Sequence, residues 1–92
     1  MIDLFEHPQA MEILIILLKG EKNITGIRKD IINKYGNYPS YSGVVRSIEC
    51  LESLGLIARE KKGRETIVSL TPKGDFVASH LKHIKEVNLE EG

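Results

Sequence analysis

Between Tyr41 and Gly74 the hydrophobic period changes twice, and no other feature of the chain narrows the possible folds so far. Val44, Ile48 and Leu51 recur at the spacing of one helix face, and Gly55 suits the left-handed position after a helix end. Leu56 to Glu60 and Thr66 to Leu70 then read as two short strands. The segment between them contains Gly63, acceptable chemistry for a hairpin. Thr71-Pro72 restarts a helix with a capping hydroxyl and a first-turn proline. Lys61, Lys62 and Arg64 fall in the hairpin's middle, where nothing can bury them.

Upstream, Pro8 and Gly20 bracket a helix-sized unit containing the apolar run Ile13 to Leu18. Such a run covers the whole helix circumference, so it requires burial on more than one side. Asn23-Ile24 is too short for more than a bridge-like strand, and Thr25 is a plausible cap for a second helix with Ile24, Ile27 and Ile31 inward. Gly36-Asn37-Tyr38-Pro39 breaks that helix, and Ser40 caps the next. The spacing therefore predicts helices at 8–19, 26–35, 41–54 and 72–87, a hairpin at 56–70 and a frayed acidic tail at 88–92. The class is α+β, mainly helical, in a single domain spanning 1–92.

Hydrophobic residues are 41% of the 92 and charged residues 28%, an ordinary globular composition. A lone cysteine, Cys50, forbids an intrachain disulfide. With no recognisable secretory leader it points to the cytoplasm, and a six-residue apolar run crosses no membrane. Cys50 lies toward the inward side of its helix beside Glu49 and Glu52, which disfavours a reactive thiolate and favours plain packing. Net charge is formally zero, but its distribution is not even. Residues 19–46 carry six bases and two acids, whereas residues 1–18 carry three acids and no base. If the chain ends pack together, one face is positive and the opposite face negative. No phosphate loop, nucleophile elbow or metal-ligand cluster is visible, so neither an enzyme nor a cofactor is expected.

The order helix, short strand, helix, helix, hairpin, helix resembles the winged helix-turn-helix regulators of prokaryotes, in particular the MarR, ArsR and PadR-like groups. The resemblance is carried by "YPSYSGVVRSIECLESLGLI", which looks like a recognition helix with its Leu-Gly-Leu-Ile exit, and by "GRETIVSLTPKG", which looks like the second wing strand entering Leu-Thr-x-x-Gly. It implies a sequence-specific regulator of transcription that binds double-stranded DNA. Ser40, Tyr41, Ser42, Gly43, Arg46 and Ser47 would then line the reading end of the third helix, with Arg46 alone able to fork onto a guanine. Ser40 also reads as a plain cap and Tyr41 as core. Lys61, Lys62 and Arg64 become a wing on the phosphates or in the minor groove, and Thr25, Arg28 and Lys29 become phosphate contacts.

Self-association follows from the same picture. Ile13, Ile15 and Ile16 on the first helix, and Phe76, Leu81 and Ile84 on the stripe running to Val87, would form a homodimer interface. His80 and His83 share a face of the last helix, as metal ligands do in ArsR-like sensors, but without a firm third ligand no metal site is expected. The rival class is a winged helix used as a protein-interaction module without DNA. Zero net charge favours that rival, while Arg46 and the cationic wing disfavour it.

Overall fold

The run Ile13 to Leu18 decides where the core sits. In the computed structural model, which describes the backbone of residues 8–91 and the side chains of 9–84, helix α1 spans Pro8–Leu17. Its Ala10, Ile13, Leu14, Ile16 and Leu17 are all buried. Burying each large aliphatic side chain contributes about 1.5–3 kcal/mol, so α1 is the fold's principal hydrophobic contribution.

What covers α1 is the rest of the same chain: helices α2 (Ile24–Tyr35), α3 (Tyr41–Ser53) and α4 (Pro72–Glu91), and strand β3 (Glu65–Leu70). Ile27 and Ile31 come from α2, Val44, Ile48 and Leu51 from α3, Val68 from β3 and Ala78 from α4. This corrects the expectation that Ile13 and Ile16 face a second subunit. Both have no exposed surface within the single chain, and only Ile15 of that trio is partly accessible. Among the described residues no helix is long and apolar enough to cross a membrane.

Three antiparallel strands complete the architecture, in the order β1-β3-β2, with β1 at Lys22–Asn23 and β2 at Ile57–Lys62. Lys22 pairs with Val68 and Asn23 with Ile67. The second helix starts earlier than expected, and its cap is Asn23, not Thr25. The Asn23 side chain accepts from the Gly26 amide at 2.7 Å and donates to Glu65 Oε1 at 2.8 Å. The Asn23 amide thus fixes the start of α2 and ties it to the hairpin, which a threonine hydroxyl at 25 could not do from inside the helix.

The hairpin is also longer than its sequence suggests. Lys61 pairs with Thr66 and Lys62 with Glu65, so both lysines belong to β2 and only Gly63-Arg64 form the turn. Gly63 has φ of 63° while Arg64 stays out of the positive region, the pattern of a type II′ hairpin turn.

At the other end of α3, the exit loop is clasped by the start of α4. The Thr71 hydroxyl donates to the Gly55 carbonyl at 2.6 Å and accepts from the Gly74 amide at 3.0 Å. The Thr71 amide donates to the Leu56 carbonyl at 3.1 Å, and Lys73 Nζ reaches the Leu54 carbonyl at 3.1 Å. The clasp fixes the angle between α3 and α4 with groups that would otherwise be unpaired at two helix ends. Helix α4 continues to Glu91, past the expected end at 87; the Val87 side chain and Gly92 lie outside the described residues.

Candidate nucleic-acid interface

Helix α3 is two-faced. Val44, Ser47, Ile48, Cys50 and Leu51 are buried, while Ser42, Arg46, Glu49 and Ser53 form an exposed stripe at i, i+4, i+7 and i+11. Ser40 caps the helix by accepting from the Gly43 amide at 3.0 Å, and its hydroxyl lies 3.3 Å from that of Ser42. Among the described residues Arg46 makes no hydrogen bond or ion pair, so its guanidinium is free to meet a ligand. Tyr41 is 55% exposed, which rules out the core reading of that residue.

Ser47 is the clear correction within this helix. It is 1% exposed and points between Val44 and Leu51, one turn to either side, so it cannot touch a groove. Glu49 was missed by the sequence reading. It occupies the outward stripe one turn beyond Arg46, where a carboxylate can accept from a cytosine amino group. Its position followed from the helical period and could have been read.

The hairpin projects beyond the core. Past Ile57 every residue of β2 is exposed on both faces. Lys62 approaches Glu21 at 3.5 Å with both side chains more than half exposed, a contact worth little in water. Lys61 and Arg64 make no ion pair among the described residues. Arg59 is committed elsewhere. Its bond to Glu52 at 2.8 Å is the main reason its pKa rises above the ordinary arginine value, against a smaller opposing effect of burial.

Where the hairpin meets the two helices there is a polar recess of about 130 Å³, lined by Thr25, Tyr41 and Arg64 among others. The structure therefore brings the start of α2, the start of α3 and the hairpin turn to one corner. Thr25 and Lys29 are exposed on α2. Arg28 is half-buried, and its Nε donates to the Pro39 carbonyl at 2.9 Å, so its first role is to hold the α2–α3 connection.

Residues 10–74 match the family model of the winged helix DNA-binding domain, which is most of the chain and includes every element of this corner. The chain belongs to the winged helix DNA-binding domain family. No curated protein sequence matches it. Solved structures do. AF1382 from Archaeoglobus fulgidus is 25% identical with a TM-score of 0.72, over 87% of this chain and 87% of that one. The adhesin competence repressor AdcR from Streptococcus pyogenes gives a TM-score of 0.76 at 22% identity, over 89% of this chain but 59% of AdcR. ZitR from Lactococcus lactis is similar, with a TM-score of 0.76 at 22% identity over 91% of this chain and 61% of that one. This winged helix thus spans about three fifths of the length of those two proteins, and at such identities the likeness shows the fold.

The face of α4 turned away from the core is also open. Pro72, Phe76, Ser79, His80 and His83 are exposed along it, with Phe76 at 75% and Ile84 at its margin at 44%. Leu81 points the other way and packs in part against the core.

Proposed function

We propose that this winged helix is a transcriptional regulator that binds double-stranded DNA sequence-specifically as a homodimer. Helix α3 enters the major groove and the β2–β3 wing lies on the backbone or in the minor groove. The observation that carries this reading is the outward stripe of α3, with an unpaired Arg46 at its centre and a wing whose Lys61 and Arg64 are free of ion pairs among the described residues. A guanidinium without protein partners forks onto guanine with no internal bond to break. Family membership and the repressor named among the structural neighbours support the same reading.

The dimer reading rests on α4. Phe76 and Ile84, 75% and 44% exposed, both lie along the open side of α4, and a two-fold axis would bury them against their own copies. Of the expected interface residues, Phe76 and Ile84 are the exposed ones, and the proposed interface centres on them. Phe76→Asp is expected to convert a dimer in sedimentation at micromolar concentration into a folded monomer. A wild-type monomer at every concentration contradicts the dimer.

The wing supplies affinity more than sequence preference. Lys61→Ala and Arg64→Ala are each expected to weaken specific and random duplexes alike. Each should reduce the slope of log K against log salt by about 0.9 for every phosphate the wing no longer neutralises. Salt slopes identical to wild type would remove the wing from the DNA. Selection from a random duplex pool tests the whole reading. It should enrich a pseudopalindrome whose half-sites lie roughly 34 Å apart, and a pool that stays random argues against sequence-specific binding.

A further inference from the structure

The five residues joining α2 to α3 are anchored at every position but one. Gly36 closes α2 in the left-handed region with φ of 68°, and its amide donates to the Ile32 carbonyl at 3.2 Å. Asn37 Nδ2 donates to Glu12 Oε1 on α1 at 2.8 Å. Pro39 is buried, and its carbonyl accepts from Arg28 Nε at 2.9 Å. Ser40 is the cap of α3, held by the Gly43 amide at 3.0 Å. Between these fixed points stands Tyr38, 80% exposed and with no hydrogen bond among the described residues.

A tyrosine held outward on an anchored loop has its ring free for a partner, and such rings are ordinarily a large contribution to an interface. The chain could bury or omit it. Instead, two long-range bonds, from α1 to Asn37 and from α2 to Pro39, fix the backbone on both sides of it. It stands two residues before the cap of α3, the helix proposed to enter the groove. The ordering cost of that backbone is met on folding, so only the Tyr38 side chain remains for a ligand to order.

We infer that Tyr38 is a DNA-contacting residue whose phenolic hydroxyl donates to a backbone phosphate at the entrance of α3, with Arg28 and Asn37 as the residues that position it. The inference rests on the DNA-binding reading above. A neutral phenol forms a strong bond to a charged phosphate oxygen but replaces no counterion. Its removal therefore has a signature different from that of a wing cation: affinity falls while the salt slope stays. A phosphate contact also carries no base information, so specific and random duplexes should lose equally.

The test is Tyr38→Phe, which removes the hydroxyl alone, titrated with wild type against the chain's own upstream DNA and a random duplex at several salt concentrations. The expected result is a loss of roughly tenfold on both duplexes, with unchanged salt slope and unchanged melting temperature. Affinity equal to wild type overturns the inference, as does a loss confined to the specific duplex, which would make Tyr38 a reader of bases. Wild-type protein that binds neither duplex overturns the DNA-binding reading itself and the inference with it. Wild type that binds beside an unaffected Tyr38→Phe overturns the inference alone.

Discussion

Gly74→Ala is expected to destabilise the domain by about 3 kcal/mol or more, or to prevent folding. Helix propensity points the other way, since alanine in place of glycine inside a helix ordinarily adds roughly 0.5–1 kcal/mol. Packing overrides it here. A Cβ at position 74 would lie 1.7 Å from the Leu56 carbonyl oxygen and 2.7 Å from the Leu56 carbonyl carbon. Both are backbone atoms, so no rotamer change can relieve the overlap. The first turn of α4 would have to lift from the exit of α3, breaking the bonds from Thr71 to Gly55 and from the Thr71 amide to Leu56. Urea denaturation of the variant and wild type checks this directly. A midpoint equal to or above wild type would show that α4 does not sit against Leu56.

Arg46→Ala should leave the urea midpoint where it is and act on DNA instead. Arg46 is exposed on α3 and bonded to nothing among the described residues, so its removal opens no cavity and strands no buried partner. If it forks onto a guanine, the variant loses about 1–3 kcal/mol on the specific site and relaxes preference at one base pair. Quantitative binding to a panel of single-base variants of the selected site separates this from a phosphate contact. A uniform loss across the panel would assign Arg46 to the backbone and leave base reading to Ser42, Tyr41 and Glu49.

The outline of the fold was legible because α1, α3 and the hairpin each announce themselves through period and punctuation. Val44, Ile48 and Leu51 mark the inward face of α3, and the same period sets Ser47 between Val44 and Leu51, so its burial is readable despite its hydroxyl. The start of α2 was harder. Asn23 and Thr25 are both good caps, and the choice between them depends on Glu65, which lies 42 residues along the chain. The fate of Ile13 and Ile16 was not legible either. An apolar run announces that it will be buried on several sides, but whether by its own chain or by a copy depends on how α2, α3, α4 and β3 close around it. Tyr41 and Tyr38 look like core and turn residues in the sequence; both are exposed, and Pro39 takes the inward position in that stretch. Gly74 was visible only as part of a family-like motif, and its physical reason, the approach of Leu56, is a tertiary contact.

Helix α3 is proposed to read DNA while the wing holds it, and one titration bears on these roles most directly. Wild-type protein is titrated into its own upstream duplex and into a random duplex of equal length across a range of salt concentrations. The expected result is tighter binding to the upstream duplex at every salt concentration, with both affinities falling as salt rises. The random duplex should retain the electrostatic share of the binding. Equal affinity for the two duplexes, or no salt-dependent binding to either, would contradict them.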